Sequence, residues 1–143
     1  MNGLKKIAMI SILLCFSVNG GTIVSSLYRV LGRVSREESA REVIDSFYQN
    51  MQILHDISGP EELEIFERLM DREYGTNCAR TEDDLRVALN GENVHDDHIV
   101  SAFIACRQSM MNLINFGNNH PDLYVVMQEQ AGVWEAKRRS RNN

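Results

Sequence analysis

The stretch SGPEELEIFERLMDREYGTNC, residues 58–78, is the clearest local signal in the chain, and the rest can be arranged around it. Pro60 suits the first turn of a helix, where its missing N–H leaves no bond unmade and its fixed φ is already helical. Glu61 and Glu62 put negative charge at the positive end of the helix dipole. Ser58 or Gly59 can cap it. Leu63, Phe66, Met70 and Tyr74 recur at helical spacing and form one apolar stripe. Glu64, Glu67, Arg68, Asp71 and Arg72 lie mostly off that stripe, in water. Gly75 offers the left-handed residue that ends a helix, and Cys78 follows shortly after.

Toward the N-terminus, Ser35-Arg36-Glu37-Glu38 reads as a capping box, which predicts a helix starting near Ser35. Its apolar face would be Ala40, Val43, Ile44, Phe47, Met51, Leu54 and Ile57. Gly59 and Pro60 stop that helix and start the next, so the chain must turn sharply between them. Toward the C-terminus, Thr81-Glu82-Asp83-Asp84 opens a short helix carrying Leu85, Ala88 and Leu89, with Asn90-Gly91 at its end. A longer helix is predicted from about Val94 to Phe116 on the spacing of its apolar residues. Its buried face would be Ile99, Phe103, Cys106, Met110 and Leu113, with Gly117 as its cap. Pro121 opens a last helix bearing Leu123, Val126, Met127, Gln130 and Trp134. A basic tail follows, with Lys137, Arg138, Arg139 and Arg141. The expected fold is all-α, a small exported bundle of about five helices held by one disulfide. A helical domain over 35–136 would stand between a leader at 1–28 and a tail at 137–143.

Export is read from the first residues. Lys5 and Lys6 precede an apolar run from Ile7 to Val18, about 12 residues, which matches a signal-peptide core and is short for a spanning helix. Cleavage after Gly20 would leave Gly21 as the new N-terminus. Leu14 in front of Cys15 argues against lipoprotein processing, which wants a small side chain there. A second reading extends the run through Tyr28, about 22 residues, enough to span but diluted by Gly, Ser and Thr. Such a segment inserts weakly and can leave the bilayer again, so membrane contact through residues 7–28 would be transient. A core helix is the remaining alternative.

Once the leader is set aside, Cys78 and Cys106 remain, an even pair in an oxidising compartment. A bond between them would close a loop of about 28 residues and stabilise by about 3–4 kcal/mol in the chain-entropy picture. Two buried thiols in a cytosolic chain is the other reading. The formal charge of −5 argues against general nucleic-acid binding, which depends on neutralising phosphates.

His95-Asp96-Asp97-His98 is the one metal-like cluster. Histidines at i and i+3 share a helix face, but no clear third ligand accompanies them, and acidic residues are ordinary in a first turn. His55 and Asp56 are adjacent and so face different directions on a helix. No nucleophile motif and no glycine-rich phosphate loop is present, and no cofactor is called for. The basic tail reads first as a solvated helix end and second as a site for anionic lipid or phosphate.

From Ile44 to Tyr74 the sequence resembles, without a gap, the periplasmic part of the RI family of T-even phage antiholins. The shared features are Asp45-Ser46, Ile53-Leu54 followed by Asp56, then Glu61, Glu64, Phe66, Met70 and Tyr74, with Cys78 a few residues on. The spacing of Phe66, Met70 and Tyr74 is the most specific of these. Cys106, at a later helix, and a weak, releasable export segment also fit. Two departures stand out. Ala79 to Ala105 separates cysteines that lie close together in the family, and the helix from Pro121 with its basic end has no counterpart. The resemblance implies a binding protein and not an enzyme. It would act in the host periplasm, hold the periplasmic domain of a phage holin and delay lysis. Phe47, Met51, Leu54, Phe66, Met70 and Tyr74 are the residues expected to serve both as core and, where a small body leaves them open, as partner-binding surface. Another exported helical inhibitor, such as an immunity or superinfection-exclusion protein, is the alternative.

The disulfide expectation is tested directly. Protein taken from the periplasm, denatured without reductant and treated with a thiol reagent, should leave Cys78 and Cys106 unlabelled. Two labelled residues would place the pair as free thiols.

Overall fold

Nothing between Leu27 and Ile57 forbids a helix: there is no proline, and the one glycine, Gly32, costs only about 1 kcal/mol there. The computed structural model describes residues 27–75 and 81–142, and its first helix, α1, runs over the whole of that span, Leu27–Ile57. Ser35 therefore does not cap a helix, contrary to the capping-box reading. It lies inside one, where its carbonyl accepts from the Ser39 hydroxyl at 3.2 Å, one turn on. Arg33 and Glu37 pair across the same turn at 3.2 Å. The Ser-x-x-Glu pattern marks a helix start only where the preceding residues leave the helix, and here they do not.

The corner after α1 is tight. The Ser58 N–H still bonds the Leu54 carbonyl at 3.0 Å, while the Gly59 carbonyl already accepts from Leu63 at 3.2 Å. Gly59 is thus the capping position of α2, Pro60–Gly75, and Pro60 is its first helical residue. The Glu62 carboxylate folds back over Gly59, so that a Cβ there would stand 2.8 Å from it.

Helix α3, Glu82–Gly91, starts as its sequence predicts. The Thr81 hydroxyl accepts from the Asp84 N–H and the Asp84 carboxylate accepts from the Thr81 N–H, both at 3.2 Å. It ends differently. Gly91 stays helical, and the left-handed residue is Asn93, with φ 61°. Val94 N–H bonds the Leu89 carbonyl at 2.9 Å and Asn93 N–H bonds Asn90 at 3.1 Å, while Val94 and Leu89 are both buried. This is a Schellman turn with its apolar clasp, and asparagine tolerates the left-handed region well enough to make it.

Helix α4, Asp97–Asn119, is capped by the Asp96 carboxylate, which accepts from His98 and Ile99 at 2.9 and 3.3 Å. It runs past Gly117, which is buried inside the helix and does not end it. The close is made by His120, whose N–H bonds Phe116 at 2.9 Å, and by a single 3-10 turn, Pro121–Leu123. Helix α5, Tyr124–Arg141, follows directly and absorbs most of the expected basic tail. Lys and Arg are good helix formers that complement the negative end of the dipole, so nothing stops the helix at 136.

Five α-helices and no strand are present among the described residues, and no described helix is long and apolar enough to cross a membrane. Of the leader expected over 1–28, residues 1–26 lie outside the described residues and the last two already belong to α1; Cys78 also lies outside. Helix α4 packs antiparallel on α1: Asn50 reaches the Ala105 carbonyl, while Ser39 and Ser46 lie opposite Ser109 and Asn112. Helix α5 packs parallel to α1 on an adjacent face, with Asp45 beside Trp134 and Tyr48 beside Glu135. Helices α2 and α3 complete the core with Phe66, Leu69, Met70, Leu85 and Leu89. Ile99, Phe103, Cys106, Met110 and Leu113 are all buried, as the spacing along α4 predicts.

The stacked pair Phe66–Phe103, with ring centroids 5.2 Å apart, joins α2 to α4. Both side chains are at most 1 % exposed. Phe66→Ala should cost about 3–5 kcal/mol in urea unfolding, whereas Val87→Ala, at a position 73 % exposed, should change stability by no more than about 0.5 kcal/mol.

Candidate functional site

A set of hydrogen-bonded polar groups lies along the seam between α1 and α5. Asp45 follows Ile44 on α1, and one of its carboxylate oxygens accepts from both the Trp134 indole N–H and the Gln130 amide, each at 2.7 Å. Three residues on, the Tyr48 hydroxyl donates to Glu135 at 3.2 Å. The Tyr48 ring stacks on Trp134, with centroids 5.7 Å apart and planes within 5°. Phe47 meets the other side of Tyr48 edge-on at 5.4 Å. Glu135 is only 8 % exposed, and Arg138 stands 3.8 Å from it one turn on. Lys137 sits over the Trp134 ring, 4.9 Å from its centroid.

Just beyond this seam, at the C-terminal ends of both helices, a cleft of about 120 Å³ opens. Tyr48, Met51 and Trp134 form its apolar floor. Gln52, His55, Arg138, Arg141 and Asn142 form its rim. No carboxylate of the described residues lines it: Glu135 is engaged by Tyr48, and Asp56 is held by Gln52 at 2.7 Å. The cleft combines an aromatic floor with hydrogen-bond donors and cations.

The structure separates the six residues expected to meet a partner. Phe47, Leu54, Phe66 and Met70 are buried core, and a partner cannot reach them while the bundle is closed. Met51 is half-buried and is the one of the six that lines the cleft. Tyr74 lies in α2, with its side chain outside the described part. Cys106 is buried in the core, where burial pushes its thiol up to about 12. Its expected partner Cys78 falls outside the described residues. Asp96 is engaged as a helix cap between the exposed His95 and His98, and no group of three metal-ligating side chains forms among the described residues.

The seam itself was missed by sequence reasoning. Tyr48 sits one position off the predicted stripe, and Glu135 carries a charge that argues against burial. The signal was the pairing of Asp45 and Tyr48 on α1 with Gln130, Trp134 and Glu135 on α5, at matching intervals along two helices.

Burial, and then the Glu135 carboxylate beside it, raise the Tyr48 phenol above its ordinary value of 10.0. The folded state therefore holds this proton more tightly than the unfolded chain. The resulting stability is fully present below pH 10 and is lost as pH rises through the folded value. The unfolding free energy should fall by up to about 1.4 kcal/mol per pH unit from this group between pH 10 and the folded value, and Tyr48→Phe should abolish that part of the slope. At neutral pH the same variant should cost about 1.5–3 kcal/mol, because Glu135 loses a donor to a charged group.

No protein-family model matches this chain, and neither a curated protein nor a solved structure shows significant similarity to it.

Proposed function

We propose that the chain is an antiholin-like inhibitor, exported to the host periplasm, that binds the periplasmic domain of a phage holin and delays lysis. The observation that carries this reading is the gapless resemblance from Ile44 to Tyr74. In the fold, that stretch is one continuous unit: the second half of α1, the Gly59–Pro60 corner and α2. Four of the resembling residues take part in its packing, while Ser46, Ile53, Asp56, Glu61 and Glu64 are exposed. Leu54, Phe66 and Met70 lie in the core, and Asp45 holds α5 through Gln130 and Trp134.

The all-helical body supports a binding role in a second way. An aromatic and cationic cleft between two helix ends would serve as a recognition surface. A bond between Cys78 and Cys106 would tie α4 to the chain between α2 and α3, and would suit a small domain working outside the cytoplasm.

Expression of the whole chain in cells carrying an inducible holin gene from the same genome tests the reading. Lysis should be delayed, and the holin's periplasmic domain should co-purify with the chain. Unchanged lysis timing, with the protein confirmed in the periplasm, would overturn it. Turnover of a cell-wall or phospholipid substrate by the purified chain would replace it with a hydrolase.

A further inference from the structure

We infer that the cleft at the joined ends of α1 and α5 takes a single apolar side chain from a short acidic segment of the partner protein. The inference rests on the proposed binding function and names the chemistry of the contact.

Size decides between a side chain and a metabolite. Pockets for drug-sized ligands run to about 300–1,000 Å³, whereas this cleft holds about 120 Å³. A cavity of roughly 150 Å³ accommodates one benzene-sized group, so the floor of Tyr48, Met51 and Trp134 fits one leucine- or phenylalanine-sized side chain. Two of the three floor side chains are held in place by contacts of their own. Trp134 is held by its bond to Asp45 and by the Tyr48 stack, so an incoming group meets a preformed surface.

Charge decides what flanks that side chain. The protein as a whole is acidic, at −5. Residues 135–142 reverse this, with Lys137, Arg138, Arg139 and Arg141 against the single carboxylate of Glu135. Glu135 is buried and held by Tyr48, so the face presented to a partner is cationic. His55 and Arg141 stand on the rim with Arg138. Carboxylates beside the apolar anchor would meet the Arg138 and Arg141 guanidinium groups, whereas a basic segment would be repelled. An anionic bilayer shares the charge but not the shape, since the cleft is a small concavity on an otherwise acidic body.

Trp134 is the only tryptophan in the chain and forms part of the floor, so its fluorescence reports occupancy directly. The whole chain would be titrated with the blocked peptide DELLDE, with its apolar-deleted form DEAADE and with its charge-reversed form KKLLKK. Saturable change in Trp134 emission with DELLDE alone is the expected result, weakening as salt is raised. Arg141→Glu, at an exposed position in the last helical turn, should weaken that binding by roughly fivefold or more while leaving the helical circular-dichroism spectrum unchanged. No response to DELLDE, an equal response to KKLLKK or DEAADE, or an unaffected Arg141→Glu variant would overturn the inference. So would a Trp134 response confined to phosphatidylglycerol vesicles. The holin's periplasmic domain, tested on the same two proteins, separates this inference from the function it rests on. Equal holin binding by both would sink the cleft and keep the antiholin reading. DELLDE binding without holin binding would do the reverse.

Discussion

Helix α1 must be covered from two sides, and the rest of the bundle follows from that. Asn50 faces α4, where it reaches the Ala105 carbonyl, Tyr48 and Met51 turn toward α5, and Ile44, Phe47 and Leu54 are buried. Successive residues point about 100° apart on a helix, so burying both Phe47 and Tyr48 requires two covering elements. The chain supplies them from one helical hairpin. Helix α4 runs antiparallel to α1, the His120–Leu123 turn reverses it, and α5 returns parallel to α1. Helices α2 and α3 then close the remaining side of α4, chiefly through Phe66 on Phe103.

Apolar burial is non-directional, so it leaves the sliding position of α5 on α1 weakly specified. The polar groups of the seam specify it. Asp45 needs the Trp134 and Gln130 donors, and Glu135 needs the Tyr48 hydroxyl. A slip of one helical turn would leave both carboxylates without these donors. An unsatisfied buried polar group costs about 1–3 kcal/mol, and more when charged. Each bond adds modestly to net stability, but the set separates the native register from its neighbours by more than the bonds are worth singly.

Much of the fold is legible in the sequence because its signals are local. Pro60 at a helix start, the Thr81–Asp84 capping box and the spacing along α4 depend only on nearby residues, and all three appear where expected. The misreadings share one cause. Ser35, Gly91 and Gly117 each carry a start or stop preference that the neighbouring sequence overrides. Ser35 is preceded by residues that are themselves helical. The Gly91 signal is displaced two residues to Asn93, where Val94 can clasp Leu89. Gly117 is absorbed because α4 needs Phe116 to carry the turn at His120. The seam was illegible for a different reason. Burial of Tyr48 and Glu135 depends on which two helices meet and in which direction, and no single helix carries that information.

The parallel course of α1 and α5 also explains where the recognition chemistry lies. Two parallel helices bring their negative dipole ends to the same place, each equivalent to roughly half a charge. An antiparallel pair would cancel them. Cations at that end are therefore favoured on stability grounds alone, and α5 places Lys137, Arg138, Arg139 and Arg141 there. Four cations exceed what one helix end needs for compensation. Lys137 is set over Trp134 and Arg138 beside Glu135, whereas Arg141 projects to the rim of the cleft. The same packing that demands positive charge at this end also has a hollow there, where the two helices end side by side. A cationic rim around an aromatic floor is thus a by-product of parallel packing, on a molecule whose formal charge is −5.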